Sequence, residues 1–313
     1  MLRGKLFKTQ EYLSELTRLI KWDVMVEGEI KRARVAIVKG EEPYEALNRA
    51  LELIGAEELI SQKDKVLIKP NYVVAKHPST GVTTDSRIID GIIQFLRRVG
   101  VHEIIVGEGG AGDTERAFDV VGIRDVIKRH NVRLINLNND RLVRVRVSDA
   151  LALHEVGVAE TALKSTCIVN VPKLKVHHMA LVTLSMKNLM GLILPKSIMH
   201  DQINEKIVDL TSLFKDKVKL NVIDGLVGSE EDEVHGSPVQ MNLIIAGRDI
   251  VAVDTVAAAI MGINPEGVRY LKLAERRGLG VANLSNIEVL GEKIENVKRR
   301  FKLPPEFRNS MII

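Results

Sequence analysis

The chain has little of several things, and each shortage removes a class of explanation. Cys167 is the one cysteine in 313 residues. No intrachain disulfide can form, and no cysteine-built metal centre or iron–sulfur cluster is expected from one chain. That usage suits a reducing compartment. Aromatic residues make up only 4%. This is too few for a base-stacking surface, and no continuous basic stripe is visible, so nucleic acid is not an expected partner. No apolar run reaches the roughly 18 residues of a membrane span, so no membrane association is expected. The opening MLRGKLFKTQEYL lacks the apolar core of a secretory leader, and a cytoplasmic location is the expectation. The net charge of +4 is mild and suits a small anion as readily as a polymer.

What is present fits a globular protein with a sizeable core, at 45% hydrophobic and 27% charged residues. Short apolar runs at 34–38, 65–68, 104–106, 132–137, 167–171, 220–223, 241–246 and 286–290 read as strands. Residues 142–147, where valine alternates with arginine, read as a half-exposed strand. Helices are expected at 43–54, 86–99, from about 115, and at 206–214, 253–261 and 270–277. This alternation predicts an α/β fold, a mostly parallel sheet with helices on both faces, in one body or in two lobes around a cleft. Three parts are expected: an N-terminal helical arm over 1–30, an α/β domain over 31–291 and a basic C-terminal extension over 292–313. The arm carries Leu13, Leu16, Leu19 and Ile20 at helical spacing and reads as a packing helix or a homodimer contact.

Chemistry concentrates in residues 166–195, TCIVNVPKLKVHHMALVTLSMKNLMGLILP. Lys173, Lys175, His177, His178, Lys187 and Asn188 stand there among apolar neighbours. Buried ammonium groups are costly unless paired, so these side chains either reach the surface or line a cleft for something negative. Successive side chains of a strand point to opposite faces, so one of His177 and His178 should face the cleft, with His177 preferred. Lys187, set among Leu184, Met186, Leu189 and Met190, should be partly desolvated, which favours a neutral, nucleophilic amine. Lys69 and Asn71 follow a strand at its carboxyl end, where ligands gather in parallel sheets. The turn from Gly107 to Thr114 is rich in glycine but has neither a Walker lysine nor the G-x-G-x-x-G spacing. It reads as an anion-binding turn or as a tight turn that delivers Glu108 to the cleft. Asp224, just past a strand, and Glu108 are candidate ligands for a divalent metal; the acidic stretch 229–236 is a hard-cation loop or a solvated one. Asp254 reads as a first-turn acid complementing a helix dipole.

The segments NVPKLKVHH…VTLSMKNLMG, LIKPN (67–71), VIDG (222–225) and DIVAVDTVAAAIMGINP (249–265), in this order, resemble the signature of the DUF362 family. That family has no settled activity, so the resemblance implies a fold and a site rather than a reaction. Many of its relatives carry cysteine-rich iron–sulfur modules, a feature that does not transfer to a chain with Cys167 alone. The same region bears a distant likeness to the lactate racemase family, which carries a nickel pincer nucleotide on a lysine. There a histidine precedes the lysine by ten residues, as His177 precedes Lys187 here, and an I-L-P-G-like turn follows, as Ile193, Leu194 and Pro195 do. The two differ in the glycine-rich turn, where that family has a histidine and this chain has Ala111.

Together these readings define an expected site. Lys187 and His177 are the candidate catalytic residues. Lys69, Asn71, Lys173, Lys175 and Asn188 would bind the ligand, and Asp224 and Glu108 would hold a metal. The expected ligand is a small molecule bearing phosphate or carboxylate, with or without a divalent metal. A metal or cofactor carrier without enzymatic activity, and a racemase-like enzyme with a cofactor attached to Lys187, are the alternatives.

Overall fold

The computed structural model describes residues 32–308. The N-terminal arm, and with it the expected dimer contact, lies outside the described residues. The elements run β1 (Ala33–Lys39), α1 (Pro43–Leu53), β2 (Lys65–Lys69), α2 (Ser86–Val99), β3 (Glu103–Glu108), α3 (Thr114–Val120), α4 (Ile123–His130) and β4 (Arg133–Asn136). Then come β5 (Leu142–Arg146), β6 (Glu155–Ala159), α5 (Glu160–Lys164), β7 (Cys167–Asn170), β8 (Lys173–His177), β9 (Leu181–Thr183), α6 (Ser185–Asn188) and β10 (Ile193–Leu194). The chain continues with α7 (Ile203–Phe214), β11 (Val218–Glu230), β12 (Ser237–Gly247), α8 (Ile250–Ile260), α9 (Arg269–Arg276), β13 (Ile287–Gly291) and α10 (Ile294–Val297).

The local signals act as their chemistry dictates. Asp85 caps α2 by accepting the Arg87 N–H, and Gly100 ends that helix at φ 90°, a conformation that costs glycine little. Asp249 caps α8, accepting from Val251 and Ala252. Every residue of α8 is buried, so this alanine-rich helix runs inside the protein.

The main sheet has the order β13-β1-β12-β11-β7-β2-β3-β4, with β8 and β9 added beside β11. Pairing is parallel except where β12 meets β1 and β11, and where β9 meets β8. Alternate strand residues feed separate cores. Val35, Ile37, Leu67 and Ile105 belong to one, and Ala36, Val66, Ile68 and Val106 to the other. Both faces are therefore covered, which is why the strands read as nearly continuous apolar runs. The residues from Ala33 onward form one compact unit, so the cleft is not bounded by two lobes.

Three local expectations change. The strand read as ending before Asp224 continues to Glu230 and folds back antiparallel on β12, which puts Asp224 inside the sheet. The valine–arginine strand β5 leaves the main sheet and pairs antiparallel with β6, beside β10. Within residues 293–308 the chain packs down: Phe301 is buried, and the Arg299 and Phe301 N–H groups bond to Ile260 and Met261 carbonyls.

Candidate functional site

Lys69 closes β2, Glu108 closes β3 and Asn170 closes β7, three neighbouring parallel strands ending at one edge. Strand β8 arrives beside them, and its alternation puts Lys173, Lys175 and His177 on a single face. Helix α6 carries Lys187 and Asn188 across the same edge. A cavity of about 350 Å³ opens there, lined by Lys69, Asn71, Glu108, Lys175, His177, Lys187 and Asn188 among others. Of the residues expected from sequence, Lys173 and Asp224 are not in its lining.

Those two residues satisfy each other. Lys173 Nζ lies 2.7 Å from Asp224 Oδ2, with both side chains fully buried. Asp224 also accepts the N–H groups of Asp85 at 2.7 Å and Leu226 at 3.0 Å. Asp224 is thus engaged by the strand pairing and stands outside the cavity lining. Glu108 is similarly committed. It accepts Lys69 Nζ at 2.8 Å, the Tyr72 N–H at 2.9 Å and the Gly109 N–H at 2.7 Å. Gly191 is required beside this pair, because a Cβ there would collide with Glu108 Oε1 and Lys69 Cε.

Asn188 ties the elements together. Its carbonyl oxygen accepts from Asn71 Nδ2 at 2.9 Å and Lys69 Nζ at 3.2 Å. Its amide donates to Asn170 Oδ1 at 2.8 Å and to the Lys69 and Pro70 carbonyls. Asp254, mid-helix in α8 rather than in a first turn, accepts the N–H groups of Ser185 at 2.6 Å and Met186 at 2.9 Å. It thereby fixes the start of the helix that carries Lys187. Burial pushes its carboxyl up to about 7, while those N–H bonds oppose the shift.

The glycine-rich turn spends its donors internally. Gly109 donates to Glu108, Gly110 to Thr114 Oγ1, and Ala111 and Gly112 to the Val73 carbonyl. No array of free N–H groups remains for a phosphate, and the turn instead delivers Glu108.

Lys175 and Lys187 differ from the paired lysines. Lys175 Nζ donates to Asn71 Oδ1 at 3.0 Å, Val82 O at 2.9 Å and Glu233 O at 3.1 Å, none of them a carboxylate. Burial, and next the charge of Lys187, bring its ammonium down to about 7. The Lys187 side chain makes no hydrogen bond or ion pair among the described residues, and burial brings it down to about 8 against the opposing pull of Glu233. Thr183 Oγ1, also in the lining, is buried without a partner.

Both histidines line the cavity, contrary to the alternation argument. Strand β8 ends at His177, and His178 lies in the following turn, where its ring stacks on that of His177 at 4.8 Å between centroids. His178 Nδ1 lies 2.6 Å from Glu233 Oε1, and His177 Nε2 lies 3.6 Å from the same oxygen. These three side chains form the one metal-ligand cluster found among the described residues. The donor set fits a cation poorly. His177 Nδ1 accepts the N–H groups of Met179 at 3.0 Å and Ala180 at 3.2 Å, so the ring proton must sit on Nε2, the atom a metal would need. Burial, and then the charge of Lys187, hold this imidazole far below its usual basicity, and it stays a neutral donor. Glu233 is the carboxylate that sequence reasoning left unassigned. Its signal was present in the acidic stretch after β11, but the other acids there turn elsewhere. Glu230 accepts the Lys302 N–H, and Asp232 those of Val234 and His235.

Fold and site together define an α/β protein with a lysine-lined cavity at the carboxyl edge of a mostly parallel sheet. The chain belongs to the DUF362 family: the family model, described as a domain of unknown function, matches residues 66–259. A thylakoid-associated protein of Synechocystis sp. is 22% identical over 268 residues, covering 83% of this chain and 82% of that protein. Among solved structures, the lactate racemase apoprotein of Thermoanaerobacterium thermosaccharolyticum is similar at a TM-score of 0.42 and 14% identity, over 72% of this chain. The matched region spans 56% of that racemase, little more than half its length. No helix among the described residues is long and apolar enough to cross a membrane.

Proposed function

We propose that the cavity binds a small anion, a molecule bearing carboxylate or phosphate, and acts on it through Lys187. The observation that carries this reading is that three lining lysines, Lys175, Lys187 and Lys196, have no carboxylate partner among the described residues. Lys69 and Lys173 are neutralised by Glu108 and Asp224. Lys175 and Lys187 line the same cavity with no ion pair among the described residues, and the charge of Lys187 adds to the burial that lowers Lys175. A guest anion would relieve both. The neutral Nε2–H of His177 and the free Thr183 hydroxyl add hydrogen-bond groups to the same wall, and the volume of about 350 Å³ suits one small molecule.

Thermal unfolding with phosphate, acetate, lactate and nucleotides tests the reading. A true ligand at a hundred times its Kd should add about 2.7 kcal/mol of stability. The gain should vanish in Lys187→Ala. Stabilisation by none of these anions, or equal stabilisation of Lys187→Ala, would remove the proposal.

A further inference from the structure

We propose that the anion is a small 2-oxo acid and that Lys187 condenses with its carbonyl carbon to form an imine. This rests on the anion-binding reading and goes further by naming the bond that forms.

The three lining lysines without a carboxylate partner are not equivalent, and Lys196 is tied to Asn138 Oδ1 at 2.6 Å. Lys175 has its nitrogen tethered to Asn71 Oδ1, Val82 O and Glu233 O, so it is held in place and is not turned toward a guest's carbon atom. Lys187 has no such ties among the described residues, and its nitrogen is free to approach a guest. Its backbone, in contrast, is held firmly, because Asp254 binds the first two N–H groups of its helix. A pinned base and an unengaged amine are what a lysine nucleophile needs. The lowered basicity of Lys187, to about 8, leaves about a tenth of it as free amine at pH 7, against a negligible fraction for an exposed lysine.

The rest of the wall selects the electrophile. Lys175 and Lys187 line one cavity of about 350 Å³. An anion drawn into that cavity would therefore share it with the Lys187 amine, and a 2-oxo acid carries the anionic carboxylate and the carbonyl in one small molecule. The His177 Nε2–H, fixed by two backbone N–H groups on Nδ1, offers a neutral donor to the carbonyl oxygen. Thr183 Oγ1, buried and unpartnered, is a second group left for a ligand oxygen.

The step balances without a redox partner. The amine nitrogen of Lys187 adds to the carbonyl carbon, and a proton moves from nitrogen to oxygen to give a carbinolamine. The hydroxyl then leaves as water, taking up a proton, and the C=N bond forms. Protons exchange with solvent on the side where His178 is nearly half exposed.

The test uses the full chain with pyruvate and sodium cyanoborohydride. Intact mass should rise by one pyruvate less one oxygen atom, and peptide mapping should place the adduct on Lys187. Lys187→Arg should cut the labelling about tenfold, because guanidinium is not nucleophilic at neutral pH. Excess inorganic phosphate should protect the wild type. Absence of an adduct, or one spread over surface lysines and unchanged in Lys187→Arg, overturns the inference. Thermal shifts with pyruvate and phosphate separate the two readings. Stabilisation without an adduct leaves anion binding standing and removes the imine; no stabilisation and no adduct removes both. Mapping the wild type gives the answer even if the variant folds poorly.

Discussion

Lys173 and Lys187 belong to one lysine-rich segment, yet the protein treats their charges in opposite ways. Lys173 is fully buried against Asp224, whose oxygens are filled by backbone N–H groups. Lys187 borders a cavity with no partner among the described residues. A closed ion pair holds strand β8 to β11, whereas an open ammonium retains an electrostatic cost that only a guest would offset. The pattern of lysines among apolar residues therefore marks two jobs, and only the counterion tells them apart.

The largest effect should come from the closed region. Lys173→Met strands the Asp224 carboxylate in the core and should cost about 3–5 kcal/mol in urea unfolding. Adding Asp224→Leu should recover only part of that loss, because the stranded charge is gone but the Asp85 and Leu226 N–H groups lose their acceptor. If the single variant is as stable as wild type, the pair is not what joins the two strands. Lys187→Met should do the reverse. Its own stability should not fall and should rise at neutral pH, since no partner is lost and the cost of a buried ammonium is removed, while stabilisation by added anions disappears. A drop as large as that of Lys173→Met would erase the contrast.

The pH dependence sharpens the same comparison. The folded Lys187 releases its proton near 8, whereas in the unfolded chain it does so near 10.5. Between these values the unfolded state binds more protons, so the contribution of this lysine to stability rises with pH and is constant below about 8. Anion binding should run the other way and weaken as pH rises through about 8, because the ammonium that attracts the anion is lost. Subtracting the stability curve of Lys187→Met from that of wild type isolates the first effect. Calorimetry with phosphate in two buffers of different ionisation enthalpy should show proton uptake on binding at pH 8.

Much of the fold could be read from the chain because both faces of the sheet are buried. Strand runs such as 65–68 and 104–106 then appear as unbroken apolar stretches, and Asp85 and Gly100 mark the ends of their helix by local chemistry. The charged part of the cavity wall could be read in part. Charged groups among apolar neighbours identify Lys69, Lys175, His177 and Lys187, all of which reach the lining. What could not be read depends on long-range pairing. Asp224 looked terminal because nothing nearby reveals that β11 continues into a hairpin with β12. Asp254 looked like an ordinary helix acid because the N–H groups it accepts belong to Ser185 and Met186, far away in the chain. His178 escaped the alternation rule because the strand stops one residue before it.

Glu233 gives the smallest expected effect and the finest division of the open region. Its carboxylate faces His178 at 2.6 Å and raises the basicity of Lys187, so it occupies the negative place that a guest would take. Glu233→Gln has two opposing consequences. It removes a repulsion worth about 1 kcal/mol across a partly buried cavity, which should tighten phosphate near fivefold at pH 6.5. It also lets Lys187 lose its proton earlier, which should weaken phosphate at higher pH. The gain should therefore shrink toward nothing by pH 8.5, a crossover that calorimetric Kd values for phosphate at the two pH values would reveal. A uniform gain would mean that Glu233 merely repels, and no gain at either pH would mean that guest and carboxylate do not share a place. A gain confined to low pH requires that Glu233, Lys187 and the anion all feel one another in the same cavity.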